Sequence, residues 1–171
     1  DANFTNPNGT TNNKELVYTY GMADGSLIAA TGYTAHQDME VWSCTSCGTS
    51  PAWSWVGGRD WRSWGAFQLS EVTSMAVEGG YLYVGFGNTN KSAVVWRYDG
   101  TTWAQIGGGN LNLDTGERTW EEYEYIRSMT SYKGNIYVGT GDTAQDADVW
   151  KLQDNGLWKQ VGGDGKNSSW S

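Results

Sequence analysis

Histidine, cysteine and basic side chains are scarce in this 171-residue chain. It has one histidine, two cysteines, and eleven lysines and arginines against nineteen acidic residues. His36 has no repeated counterpart and no serine motif beside it, so the sequence offers no acid–base set and predicts a non-enzymatic protein. Two cysteines are too few for a disulfide-rich scaffold. Because the basic residues form no cluster, nucleic acids and anionic membranes are poor partners.

Long apolar runs are missing as well. The longest candidates, such as residues 136–138, have the length of a strand, whereas a membrane span takes about 18 residues. We therefore expect no membrane insertion. The chain is instead rich in glycine, tryptophan and tyrosine, with 24, 11 and 10 residues. So many aromatic residues indicate a folded domain with a core rather than a disordered chain.

A repeat of about 54 residues organises the chain. Residues 27–32 match 82–87 and 136–141, and a pattern of Trp, two variable residues, Val or Ile, and Gly-Gly ends each unit at 53–58, 103–108 and 158–163. Between these blocks, Trp42, Trp96 and Trp150 are spaced 54 residues apart. Met22, Met75 and Met129 mark a further strand ahead of each unit. Each unit therefore predicts four short strands, a to d, separated by turns such as Asp99-Gly100.

Four antiparallel strands repeated at this period are typical of β-propeller blades. The sequence resembles the kelch-like and tachylectin-like propellers, although it has Gly-x-Gly after strand b and moves Gly-Gly to the end of strand d. The resemblance implies an all-β fold with three blades, at about 15–58, 71–108 and 123–163, in one propeller domain over 1–171. Residues 1–14 are predicted to be an Asn-rich N-terminal linker or arm. It implies architecture only, because such folds host many functions.

The number of blades predicts association. Propellers typically close with four to eight blades, and a three-blade arc would expose apolar faces. Two chains could form a six-bladed ring, copies could assemble into an open array, or the chain could be a piece of a longer propeller. We expect self-association into a dimer or polymer.

The tryptophans fall into two groups. Those that recur in every blade are expected to pack between blades. Others lie in the polar linkers, where a ring can stack on a sugar while neighbouring polar groups bind its hydroxyls. The alternative is that the linker rings seal adjacent blades. The candidate carbohydrate-binding residues are Trp61, Trp64, Trp120, Trp170, Asp60 and Asn110.

Three further features concern metals and covalent modification. Asp142, Asp146 and Asp148 could bind calcium, with a solvated loop as the alternative; otherwise no cofactor is expected. Cys44 and Cys47 predict a local disulfide in the connection between strands c and d of the first blade, with free thiols as the alternative. Four N-glycosylation sequons favour an extracellular, secreted glycoprotein; they begin at Asn3, Asn8, Asn90 and Asn167.

These observations predict a secreted, non-enzymatic, lectin-like propeller that binds glycans or glycoproteins. The alternative is a structural subunit of an extracellular assembly or filament. A glycosidase is less favoured, since it would need two convergent carboxylates that the sequence does not identify.

Overall fold

The computed structural model describes residues 16–22, 25–31, 40–48, 50–58, 71–87, 93–108, 120, 125–141 and 147–163. Within these ranges the secondary structure is entirely β, with no helix. The strands form three four-stranded antiparallel sheets, each following the order of the chain. The predicted all-β fold with three four-stranded blades is confirmed, and it is consistent with a propeller-like architecture.

The strands have the following bounds. The first sheet contains β1 (Leu16–Gly21), β2 (Leu27–Thr31), β3 (Glu40–Cys44) and β4 (Trp53–Gly58). The second contains β5 (Glu71–Glu78), β6 (Tyr81–Gly87), β7 (Val94–Tyr98) and β8 (Trp103–Gly108). The third contains β9 (Ile126–Tyr132), β10 (Asn135–Thr140), β11 (Asp148–Leu152) and β12 (Trp158–Gly163). None of the described segments forms a helix able to span a membrane.

The last strand of every sheet carries a β-bulge at the same repeat position. The register skips Val56 in β4, Ile106 in β8 and Val161 in β12. In each case the skipped residue precedes the Gly-Gly pair. A bulge bends and twists its strand. The repeated bulge therefore sets the orientation of the Gly-Gly pair in each sheet.

The first strand of the first sheet begins earlier than the methionine alignment predicts. Leu16 pairs with Thr31 as Ile126 pairs with Thr140. Met22 lies just after β1 and donates its N–H to Ser26 O at 2.8 Å, whereas Met75 and Met129 lie inside β5 and β9. The equivalence of Met22 with the other two was therefore wrong. The reason is a longer turn, since residues 22–26 replace the short turn between β9 and β10.

The chain divides into two compact units, 1–72 and 73–171. In the first unit, the core of the first sheet contains Ala30, Val41 and Trp42, and the Trp42 indole donates to Glu40 Oε2 at 2.9 Å. Cys44 and Cys47 form a disulfide with a Cα–Cα distance of 5.7 Å, as predicted. It closes the start of the β3–β4 connection.

In the second unit, the second and third sheets pack together through glycines. A Cβ on Gly85 would lie 2.5 Å from Ile126 Cγ2, and one on Gly107 would lie 2.6 Å from the Trp120 ring and 2.7 Å from Trp158 Nε1. Since such approaches exclude any side chain, these positions require glycine. We call Gly85, Gly87, Gly107 and Gly108 the glycine seat of the second sheet.

Two indoles occupy this seat and bond to the backbone behind it. Trp158 donates to Ile106 O at 2.7 Å, and Trp120 donates to Ala93 O at 2.8 Å. Their ring centroids are 5.3 Å apart in an edge-to-face arrangement. Both rings are buried and belong to the cluster that includes Val95 and Ile126. The recurring Trp158 thus packs between sheets, as predicted for its class.

The turn between β7 and β8 is held by one carboxylate. Asp99 Oδ1 accepts the backbone N–H groups of Thr102 at 2.7 Å and Thr101 at 2.8 Å, and both threonine hydroxyls also donate to the carboxylate. The backbone N–H of Thr102, its hydroxyl and then the Thr101 groups hold the pKa of Asp99 well below the usual range of an aspartate. The charged form therefore stabilises the turn.

Replacing Asp99 by asparagine is expected to remove a pH-dependent contribution to the stability of the folded protein. The folded pKa is depressed, so this contribution is fully present above the unfolded pKa of about 3.9 and is lost as the pH falls through the folded pKa. The Tm difference between the wild type and Asp99→Asn should be largest from about pH 5 to 7 and shrink below about pH 4. Thermal unfolding followed by circular dichroism at several pH values measures it.

The third sheet supplies a neutral control. Asn155 Oδ1 accepts the Leu157 N–H at 3.0 Å in the corresponding turn. Asn155→Ala should lower Tm by a similar amount at every pH, because asparagine does not titrate. A Tm difference for Asp99→Asn that stays constant down to pH 2 would contradict the role given to the charge.

Candidate functional site

A pocket of about 220 Å³ opens between the second and third sheets. The second sheet contributes strand residues, and the third contributes residues in and beside the β9–β10 and β11–β12 turns. Its polar lining is Glu78, Tyr83 and Arg97 from the second sheet and Asn135, Gln153 and Asp154 from the third. Ile106, Ile136 and Leu152 supply the apolar part of the wall.

Turn chemistry places the third-sheet residues at the pocket. Lys133 and Gly134 have positive φ values of 50° and 75°, which produce the tight turn that ends at Asn135. The Asn135 side-chain amide donates to Lys133 O at 2.9 Å. In the other turn, Gln153 donates its N–H to Leu157 O at 2.8 Å, which places Asp154 at the tip. Both turns therefore present polar side chains to the second sheet.

Arg97 is held by two tyrosines. Its guanidinium carbon lies 4.5 Å from the Tyr81 ring centroid, and Arg97 is the cross-strand partner of Tyr83. Burial raises the pKa of Tyr83, and the charge of Arg97 acts in the opposite direction. Tyr83 therefore remains a neutral phenol near pH 7. Because a guanidinium carries five N–H donors, these contacts orient it and still leave N–H groups that can donate to a ligand.

Glu78 connects the two sheets at the edge of the pocket. Its carboxylate accepts the Gly79 N–H at 3.1 Å and the hydroxyl of Ser131 from β9. This cross-sheet bond ties the end of β5 to the third sheet. The pocket therefore lies at a junction where a hydrogen bond joins the second sheet to the third.

The pocket combines hydrogen-bond donors and acceptors with an apolar wall. Arg97 is a donor, Glu78 and Asp154 are acceptors, and Asn135 carries both kinds of group. Charges of both signs are present, so neither a strongly anionic nor a strongly cationic ligand is favoured. A tyrosine and aliphatic side chains complement the C–H faces of a sugar, while the polar groups can bind its hydroxyls.

Among the sugar-binding candidates, the structure describes Trp120 alone. Its side chain is 5% exposed, its N–H is bonded to Ala93 O, and its ring contacts Trp150 and Trp158. No ring face remains for a sugar. Of the two roles open to a linker tryptophan, Trp120 has the sealing role. The other five candidates lie outside the described residues and stay predictions: Trp61, Trp64, Trp170, Asp60 and Asn110.

The metal and glycosylation predictions fall largely outside the described ranges. Asp148 is half-buried and accepts the Gln160 side-chain amide at 2.5 Å. Its proposed co-ligands, Asp142 and Asp146, are not described, so calcium binding stays a prediction. In the part of the chain that is described, no three His, Cys, Asp or Glu residues cluster as a metal site would require. Also outside it are His36 and the sequons at Asn3, Asn8, Asn90 and Asn167.

The sequence did not single out the residues of the pocket. Glu78 and Asp154 read as ordinary turn residues, and Arg97 follows a repeated tryptophan without obvious purpose. One signal was available, because Arg97 and Lys151 follow that tryptophan in successive repeats. Each lies over a tyrosine, at 4.5 Å for Arg97 and 5.9 Å for Lys151. This cation–aromatic pair, formed within the second sheet and again within the third, was the available signal.

Comparison with known proteins does not identify a relative. No protein-family model matches the sequence, and no curated protein is significantly similar to it. A propeller-like architecture is compatible with many functions. What the chain does must therefore be inferred from its site.

Proposed function

We propose that this chain is a non-enzymatic, lectin-like protein that binds carbohydrate in the pocket between its second and third sheets. The observation that carries the proposal is the mixed lining, in which Arg97, Asn135 and Asp154 surround a wall containing Tyr83 and aliphatic side chains. Such a lining matches the alternating hydroxyl and C–H surfaces of a sugar. Glycans and glycoproteins are the proposed partners.

The same proposal includes the wider class and location. The repeat resembles kelch-like and tachylectin-like propellers, and we propose a place in that broad group. The disulfide between Cys44 and Cys47 and the four sequons support an extracellular protein, since disulfides persist in oxidising compartments. Several sites on repeated blades would raise avidity for multivalent glycans.

Arg97→Met should weaken glycan binding by about ten- to a hundredfold. Hydrogen bonds to a charged group contribute about 1.5–3 kcal/mol, and each 1.4 kcal/mol changes affinity tenfold. A glycan array would identify a ligand for the wild type, and isothermal titration calorimetry would then give Kd for both proteins. Asp154→Asn, in an exposed turn, should weaken the same ligand without disturbing the core.

Lys151→Met is the matched control. Lys151 occupies the position of Arg97 in the third sheet and lies over Tyr137, outside the pocket. It should bind as the wild type does. Unchanged affinity in Arg97→Met and Asp154→Asn, together with loss on substitution of Trp61 or Trp64, would move the site to the linkers. If no glycan binds the wild type, the lectin proposal is wrong.

Binding without hydrolysis is proposed because of how Glu78 is used. The pocket contains two carboxylates, Glu78 and Asp154, and glycosidases also work with a pair. Glu78, however, already accepts hydrogen bonds from Gly79 and Ser131, which gives it a structural task. Incubation with the bound glycan should release no new reducing ends. Their release would replace the proposal with a glycosidase.

The structural-subunit alternative depends on a surface that can hold another subunit. Such a surface exists only if a face of one of the sheets is left uncovered. A filament or sheath role stays a prediction, and it would require that surface to be used repeatedly.

A further inference from the structure

The pocket between the second and third sheets has a buried apolar part and an exposed polar part. Ile136 is 2% exposed and belongs to the buried cluster, and Ile106 and Leu152 pack against that cluster. We call these three residues the aliphatic wall. By contrast, Asp154 and Gly156 in the β11–β12 turn are exposed to solvent. A ligand that enters from solvent therefore meets polar groups first and hydrocarbon at greater depth.

The aliphatic wall has little to offer a hydroxyl group. Its three side chains carry neither a donor nor an acceptor. The main-chain carbonyl of Ile106 already accepts the Trp158 indole N–H at 2.7 Å. Burying a hydroxyl without a partner costs affinity, whereas burying a methyl group increases it. The wall therefore favours a ligand that places a methyl group against it.

The volume of the pocket restricts the size of the ligand. At about 220 Å³ it is smaller than the roughly 300–1,000 Å³ of sites that hold drug-sized ligands. The hydrogen bond from the Ser131 hydroxyl to the Glu78 carboxylate joins the two sheets at the edge of this space. A single sugar residue is the unit that fits.

We propose that the pocket binds a deoxyhexose, a sugar in which a methyl group replaces the hydroxymethyl group, with this methyl group against the aliphatic wall. The inference rests on the proposed carbohydrate-binding function and specifies its ligand. The ring hydroxyls remain for Arg97, Asn135 and Asp154, which line the same pocket. Such a sugar is uncharged, in agreement with the charges of both signs in the lining. It matches the apolar and polar parts of the pocket better than the parent hexose does.

Pairs of sugars that differ in one oxygen atom test the proposal on the wild-type protein. L-Fucose is compared with L-galactose, and L-rhamnose with L-mannose, by NMR titration. In each pair that binds, the methyl-bearing sugar should bind about tenfold more tightly, because its counterpart buries a hydroxyl against the wall. Saturation-transfer NMR, with the protein methyl resonances irradiated, should give the sugar methyl group the largest signal.

Leu152→Gln tests the wall itself. The glutamine amide adds a donor and an acceptor, so the preference for the methyl-bearing sugar should fall from about tenfold to about twofold or less. Leu157→Gln is the matched control. Leu157 is half-buried like Leu152 and lies in the β11–β12 connection, but it does not line the pocket, so the wild-type preference should remain. Near-ultraviolet circular dichroism shows whether both variants fold.

Several results would overturn the inference. Suppose that an array glycan binds and Arg97→Met weakens it, but the paired sugars bind equally, in the reverse order or not at all. The deoxyhexose is then wrong and the proposed function stands. A full preference in folded Leu152→Gln, or the largest saturation transfer at ring protons, places the methyl group elsewhere. If Leu152→Gln does not fold, the saturation-transfer result on the wild type decides. If no sugar and no array glycan binds, both proposals are wrong.

Discussion

Gly108→Ala should lower the free energy of unfolding by about 3–5 kcal/mol. Gly108 has a φ of 72°, and a Cβ there would collide with Ala93 O and lie 2.5 Å from Trp120 Nε1. The substitution therefore combines backbone strain with steric overlap against the carbonyl that accepts the Trp120 indole. Neither neighbour is a flexible side-chain end that could move aside. Urea denaturation followed by tryptophan fluorescence measures the loss.

Two other glycines separate the contributions. Gly100 has a φ of 98° and open space around it, so Gly100→Ala reports backbone strain alone, about 1–2 kcal/mol. Gly107 has no positive φ but would place a Cβ against two indoles, so Gly107→Ala reports the steric part. Equal losses for Gly108→Ala and Gly100→Ala would show that the seat is not tightly filled.

Trp120→Ala is the second substitution with a large effect, expected to cost about 3–5 kcal/mol. The side chain is buried between two sheets, and its removal leaves a cavity beside Trp158 and an unpaired carbonyl at Ala93. Trp120→Phe keeps most of the ring and loses the donor, so about 1–3 kcal/mol is expected. Thermal and urea unfolding give both values.

A half-buried tryptophan provides the comparison. Trp103 stacks on Tyr98 with ring centroids 4.8 Å apart, and Trp103→Ala should cost less than Trp120→Ala. Loss of glycan binding in Trp120→Ala would then report disruption of the sheet junction, which frames the pocket. A Trp120→Ala protein that is as stable as the wild type but no longer binds glycan would instead return this ring to the binding site.

The repeat allowed the three sheets to be predicted. Its spacing alone did not show which residues of the sheets are structurally equivalent. Three matched blocks place twelve strands, because Trp42, Trp96 and Trp150 fall in the same strand of each sheet. The alignment failed only at Met22, where a longer turn shifts β1. Turn length is a local property that a repeat period does not constrain.

The pocket was not predictable in the same way. Glu78 and Asp154 belong to different repeats and meet only because one sheet packs on the next. Likewise, a polar linker does not reveal whether Trp120 faces solvent or fills a seat. The sequence identified the Gly-Gly pairs only as markers of the repeat. The structure shows that the pair in the second sheet leaves the space that the packed indoles occupy.

The joint between the second and third sheets also bears on how such a protein can change in length. One half of the joint is glycine and main-chain carbonyl, and the other half is an indole at the start of the last strand. The joint forms between two repeats, but the sequence of a single repeat contains the residues for both halves. A whole repeat gained or lost therefore carries a complete pair of connectors with it, whereas a partial repeat does not. Growth by duplication of entire units is the evolutionary route that this chemistry permits.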